Sequence, residues 1–386
     1  MDRFLPKKRA TNIKSSKLIQ PVKIFFVGIL LSLPQTITIS AQLDSELFLE
    51  GASITGIAKE DNYLWISTYG QGIYRCSIKE KKWMNFSTKS GNLDNDLFYA
   101  IEVNQDYVWA GATEGLFIFN KKTEKWSIRK FAQGGQFGNW IRTLKYDPSQ
   151  SVLWTGRFRN VTRLDVRKRR YDDIDRMQGT DQKSNNVKSI ALDGDSLVWF
   201  GTESGVHRYE KKKNYTEEAA WKYITDKKRG FNEEGKTVSV SAMLFEGKRI
   251  WFGTDEFTST KDPDFNVGGI YIFDRNLDWK KISRIDGLAD NGIYTLCRTG
   301  NYIWASVYSF DRKGNIERGR GLYLINRSTL EVTKVDLDKL KINSSTFHAF
   351  LFDGINLWIG SDAGLLRIKI YNPLANWQDK SPDKQG

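Results

Sequence analysis

An apolar residue followed by tryptophan recurs seven times along this chain, at Leu64-Trp65, Val108-Trp109, Leu153-Trp154, Val198-Trp199, Ile250-Trp251, Ile303-Trp304 and Leu357-Trp358. Each pair sits in a short run rich in β-branched and aromatic residues and bounded by turn residues, which reads as a strand. The tryptophans are 44, 45, 45, 52, 53 and 54 residues apart, the period of a four-stranded propeller blade. Beyond each Trp comes a glycine with an apolar residue: Gly72-Ile73, Gly115-Leu116, Gly205-Val206, Gly269-Ile270, Gly321-Leu322 and Gly364-Leu365, with Asn160-Val161 in the third unit. Asn is the side chain that best tolerates positive φ, so the turn is preserved there. Further on stand Trp83, Trp126, Tyr171, Trp221, Trp279, Val332 and Trp377, which leaves Trp140 as the one tryptophan out of register.

This pattern predicts an all-β fold, a seven-bladed β-propeller of four-stranded antiparallel blades over residues 54–378. One sheet cannot bury both of its faces alone, whereas sheets packed radially bury each against a neighbour. The in-register tryptophans are therefore expected in the core. Two segments compete for the outer strand of blade seven, Leu374 to Gln378 and the N-terminal Ser45 to Leu49.

Residues 1–41 read apart from the repeats: basic Arg3, Lys7, Lys8, Arg9, Lys14, Lys17 and Lys23, then an apolar run from Ile24 to Leu33. That order predicts a signal peptide cut after Ala41, or an uncleaved anchor, and an extracytoplasmic location, periplasmic or secreted. Residues 42–53 form an N-terminal segment and 379–386 a disordered C-terminal tail. No membrane insertion is expected after cleavage, and the chain ends soon after Trp377. The formal charge of +13 falls to +7 without the leader, 52 basic residues against 45 acidic. That excess gives no polybasic run of the nucleic-acid kind, and no nucleic acid partner is expected. Cys76 and Cys297 fall in blades one and six, too far apart to bridge.

The units Asn62-Tyr63-Leu64-Trp65-Ile66-Ser67-Thr68, Trp199-Phe200-Gly201-Thr202 with Gly205-Val206, and Leu357-Trp358-Ile359-Gly360-Ser361 with Gly364-Leu365 carry one motif. They resemble the two-component-regulator propeller repeat, as does the connector Asp286-Gly287-Leu288-Ala289-Asp290-Asn291. The resemblance covers nearly all of the chain after the leader. It implies a stand-alone exported propeller similar to the sensor half of hybrid two-component systems, and hence ligand or protein binding by analogy of fold.

Counting back from each Trp aligns the first strands. The second of four aligned positions is Thr55, Tyr99, Arg142, Lys188, Ser241, Tyr294 and His348, polar and varied, between apolar and small neighbours. These side chains are expected to converge on the channel mouth. Insertions at Asp255 to Val267 and Val307 to Arg320 should rise beside them, carrying Phe257, Phe265, Tyr308, Phe310, Arg312, Arg318 and Arg320. Trp140 follows the flexible connector Gly134 to Asn139 and should stand at the same rim with Arg142, Arg157 and Arg159, suited to stacking on a sugar ring or holding an anionic group.

The ligand-binding set is thus Tyr99, Trp140, Arg142, Lys188, Tyr294, His348, Arg157, Tyr308 and Phe310. No cofactor and no metal is expected; Asp255, Glu256, Asp262 and Asp264 read as a solvated acidic loop lacking calcium-loop spacing. Of the two histidines, His207 reads as structural or surface, and His348 belongs to the channel column. The expected function is non-catalytic recognition of a glycan or other small ligand by a monomer. A protein-interaction scaffold is one alternative; a polysaccharide lyase-like enzyme using His348, Tyr294, Tyr99 and Arg142 is another.

Overall fold

Each tryptophan repeat lies in its own antiparallel four-stranded sheet, and the seven sheets form a ring. The computed structural model describes residues 44–131, 135–225, 230–234, 238–258, 266–275, 278–311 and 313–370. The leader, the segment 374–378 with Trp377, and Phe265, Asp262, Asp264 and Arg312 lie outside the described residues. Among those described, no helix is long and apolar enough to cross a membrane.

Blade one shows the plan. An inner strand, Ile54–Glu60, turns into the tryptophan strand Tyr63–Thr68, then Ile73–Ser77, then the outer strand Lys82–Phe86. The inner strands, Ile54–Glu60, Ala100–Val103, Ile141–Asp147, Val187–Asp193, Val240–Glu246, Gly292–Thr299 and Phe347–Phe352, each neighbour the next, and the last neighbours the first. Blade seven is finished by the N-terminal strand Ser45–Phe48, which pairs with Gly364–Lys369 from Ser45 opposite Ile368 to Phe48 opposite Leu365. The N-terminal segment therefore closes the ring.

All seven central tryptophans are buried, none more than 3% exposed. The turn after them needs positive φ, which Asn160 supplies at 71° where Gly72 has 73°. Two residues beyond five of the tryptophans is a glycine. A Cβ on Gly111 would come within 2.5 Å of Ile141 Cγ2, and one on Gly360 within 2.5 Å of Ile54 Cγ2, so each glycine lets the next blade's first apolar residue rest on the strand backbone. Hydroxyls bind the same seams: Thr55 Oγ1 donates to Phe98 O at 2.8 Å, Ser189 Oγ to Val240 O at 3.1 Å and Ser306 Oγ to Phe347 O at 2.7 Å.

Opposite these seams, acids at the ends of inner strands meet basic residues of the next blade. Asp193 takes both Nη atoms of Arg275 at 2.8 Å and also accepts from Trp199 Nε1. Asp147 and Lys211 form a fully buried pair at 2.8 Å. Glu60 pairs with Lys121, and Glu246 with Arg327.

Candidate functional site

Register slips by one residue near the start of six inner strands, and the extra residues are Thr55, Arg142, Lys188, Ser241, Tyr294 and His348. Tyr99, just ahead of Ala100–Val103, holds the same place, its N–H bonding Gly111 O at 2.9 Å. A bulge leaves one residue unpaired and re-aims its side chain. The inner strands all run in the same sense, so the six bulges and Tyr99 fall at one end of the ring, and all seven residues are half-buried.

Contacts join these residues into two arcs. The first is aromatic. Tyr69 meets Tyr99 at 5.7 Å, Tyr99 meets Trp140 at 5.4 Å, and Trp140 stacks on Phe158 at 5.2 Å, with Phe137 on its far side at 5.3 Å. The Arg142 guanidinium lies 4.9 Å over Phe158 and donates to Glu203 Oε1 at 2.7 Å, while Asn186 holds Glu203 Oε2 at 3.0 Å. Trp140 is half-buried, and its indole N–H has no partner among the described residues. The connector before it, expected to be flexible, contains one helical turn, Gly135–Asn139, and Asn139 Oδ1 accepts from Phe131 N–H.

The second arc is polar. The Lys188 ammonium pairs with Asp255, which also accepts from Tyr308 OH at 2.7 Å and from Ser239 Oγ. Burial alone would raise the Asp255 carboxyl; Lys188 and the two hydroxyls outweigh it and hold it below the ordinary aspartate range. Asp255 is therefore an internal anchor and not part of a solvated acidic loop. Tyr308 stacks on Tyr294 at 4.3 Å, and Tyr294 meets His348 edge-on at 5.2 Å. Burial and then Glu317, which accepts from Tyr294 OH at 3.0 Å, keep that phenol protonated. Burial lowers the His348 pKa against the pull of Asp362, which favours the neutral ring.

One residue of the sequence-predicted set stands elsewhere. Arg157 is fully buried: it pairs with Asp173 at 2.6 Å, donates to Gly138 O at 2.6 Å and lies 4.5 Å over Phe131. It follows Trp154 by three residues, a position filled by Thr68, Ala112, Thr202, Thr254, Val307 and Ser361 in the other blades, every one of them buried. The rim placement of Arg157 is thereby corrected. Phe310 lies on the ribbon that Tyr302–Asp311 makes with Ile316–Asn326, its N–H bonding Glu256 Oε2 at 2.9 Å.

A second column lies four residues beyond each Trp, at Tyr69, Thr113, Phe158, Glu203, Asp255, Tyr308 and Asp362, and of these only Tyr308 was in the sequence-predicted set. It supplies the partners of the bulge residues in both arcs. Its signal in the sequence is the constant four-residue offset from the tryptophans. Among the described residues, no group of three or more His, Cys, Asp or Glu is placed to hold a metal.

Comparison with known proteins agrees on the fold. No family model matches the chain. Histidine kinase P4 of Formosa agariphila is 24% identical over 316 residues, 78% of this chain and 21% of the kinase, so the chain spans about a fifth of that relative. The extracellular domain of the B. thetaiotaomicron one-component system BT4673 superposes with a TM-score of 0.62 at 17% identity, over 86% of this chain and 40% of that one. YCF48 bound to D1 peptide gives a TM-score of 0.58 at 14% identity, over 86% and 97%. The chain is thus a seven-bladed propeller similar in fold to the extracellular domain of a signalling system.

Proposed function

We propose that this chain is an exported, non-catalytic binding propeller that takes an uncharged polyhydroxylated ligand, a glycan, at the bulge end of its ring. The observation that carries the reading is the first arc: Tyr69, Tyr99, Trp140 and Phe158 form a run of rings beside the Arg142–Glu203–Asn186 network. Ring faces beside fixed donors and acceptors suit a sugar, whose apolar face stacks while its hydroxyls bond. Arg142 and Lys188 are already paired with Glu203 and Asp255, which favours a neutral ligand over an anionic one. The basic and apolar leader supports export.

A glycan array followed by titration calorimetry tests this. Trp140→Ala and Tyr99→Ala are each expected to weaken binding at least tenfold while the protein stays folded, since a stacking ring contributes on the order of 1 kcal/mol or more. No binding to any glycan would transfer the assignment to a protein partner, the reading favoured by the long ribbon of blade six. Turnover of a polysaccharide that His348→Ala abolishes would replace both with a lyase.

A further inference from the structure

Every central tryptophan packs against the neighbouring blade, but what meets it differs from seam to seam. Between blades one and two, Trp65 meets Phe119 at 5.5 Å and Phe119 meets Trp126 at 5.0 Å. Between blades three and four, Trp154 meets Tyr209 at 5.5 Å and Tyr209 meets Trp221 at 5.0 Å. The corresponding pair in blade three is smaller: Leu164 opposite Tyr171. Two residues past Phe119 and Tyr209 come Lys121 and Lys211, which reach the preceding blade's acids. Two past Leu164 is Val166. Tyr146 of the blade-three inner strand stacks on Trp109 at 5.6 Å and Lys145 pairs with Glu102 at 3.1 Å, but farther out blade three lacks the ring at position 164 and the lysine at 166, and a groove of about 380 Å3 opens over Trp109, between the outer strands Lys125–Arg129 and Arg170–Ile174.

Its walls are Tyr107, Ile118, Ile128, Val166 and Tyr171. The Ile128 side chain is 37% exposed. Arginines stand at both ends. The two outer strands run in the same direction, so Arg129 at the close of one and Arg169 in the turn opening the other mark opposite ends. Arg129 lies 4.6 Å over the Tyr171 ring, and Arg169 reaches Tyr107 OH at 3.5 Å. Residues 121–130 and 163–170, which frame the groove, hold ten Lys and Arg against two acids, Glu124 and Asp165. Asp172 and Asp173 beyond them are taken by Arg170 and Arg157.

We infer that this groove docks an extended acidic segment of a partner protein, one apolar side chain seated over the Ile128–Tyr171 wall between carboxylates that meet Arg129 and Arg169. An extended chain advances about 3.3 Å per residue and alternates faces, so carboxylates four residues apart span about 13 Å on the same side as an apolar residue midway between them. The site is on the outer flank of the ring and is independent of the glycan reading.

The test is fluorescence anisotropy on the folded protein, using seven-residue labelled peptides with aspartate at the second and sixth positions and Phe, Trp, Leu or Ile at the fourth. Peptides with lysine in place of aspartate are the controls. At least one acidic peptide should bind, and Arg129→Glu or Arg169→Glu should weaken it tenfold or more. The double variant Leu164→Phe, Tyr171→Trp restores the ring filling of the neighbouring seams; it should abolish binding while the melting temperature holds or rises. Equal binding by lysine-flanked peptides, or by none, overturns the inference. So does undiminished peptide binding by the filled variant, which would reduce the effect to the basic surface. Phosphatidylglycerol vesicles that bind wild type and the filled variant alike, where the peptides do not bind, would assign the basic rim to lipid instead.

Discussion

His207 illustrates how surroundings decide the use of a residue type. It is 1% exposed on the third strand of blade four, its Nε2 is 2.8 Å from Ser184 O, and its ring stacks on Tyr223 at 4.8 Å. Burial pushes its pKa down to about 4. The unfolded chain takes up a proton near pH 6.5 that the folded chain refuses until about 4, so stability falls as pH drops through that window, by about 3 kcal/mol in all. Urea midpoints at pH 7, 5.5 and 4.5 should show that decline, and His207→Gln should flatten it. Asp255 acts in a lower range: with its folded pKa depressed, its contribution is full above about pH 4 and is lost as pH falls below that. Residue by residue, the first-strand column could be read because apolar and small neighbours isolate it. Tyr69, Glu203 and Asp255 could not, because a column mixing rings with carboxylates has no signature until its partners are known. Arg157 misled for a related reason: charge alone suggests a surface, and only the Asp173 partner explains its burial.

At the level of the strand, glycines two beyond the tryptophan are contact surfaces for the next blade. Gly111→Ala would press a methyl into Ile141, and overpacking of this kind costs about 1–3 kcal/mol, so the chemical-denaturation midpoint should fall accordingly. An unchanged midpoint would mean that the seam yields at no cost. Strand order within a blade was legible because period-two alternation, a turn glycine and a fixed aromatic agree with one another. The bulges were not legible as bulges, although the residues in them were singled out. A one-residue slip is set by how the inner strand fits its partner, and composition does not record it. The helical turn Gly135–Asn139 was hidden for another reason: two of its five residues are glycine, the poorest helix former after proline.

For the whole molecule, the number of blades could be counted in advance, whereas ring closure could not, since two segments offered an outer strand and pairing across the full chain leaves no local trace. The structure closes blade seven with Ser45–Phe48. Phe48 packs between Trp83 at 5.7 Å and Trp358 at 5.9 Å, and Glu46 pairs with Arg367 at 2.6 Å. Deleting residues 44–50 strips Leu47 and Phe48 from these seams and bares the edge of Gly364–Lys369. A loss of roughly 3 kcal/mol or more is expected from the two side chains, with association through the open edge seen by light scattering. The closing strand also carries a consequence for how the molecule is made. Its partner is the last strand of the repeats, so Ser45–Phe48 must wait, unpaired, until six whole blades and the other three strands of the seventh have been synthesised. The wait ends with Lys369 N–H within 2.9 Å of Asp44 O, which brings the two ends of the ring side by side. A circular permutant that joins them by a short linker and opens the chain at the exposed Gly194 turn would keep every strand pair while making the closing strand contiguous with its partner, and it should reach the native ring faster than the natural order does.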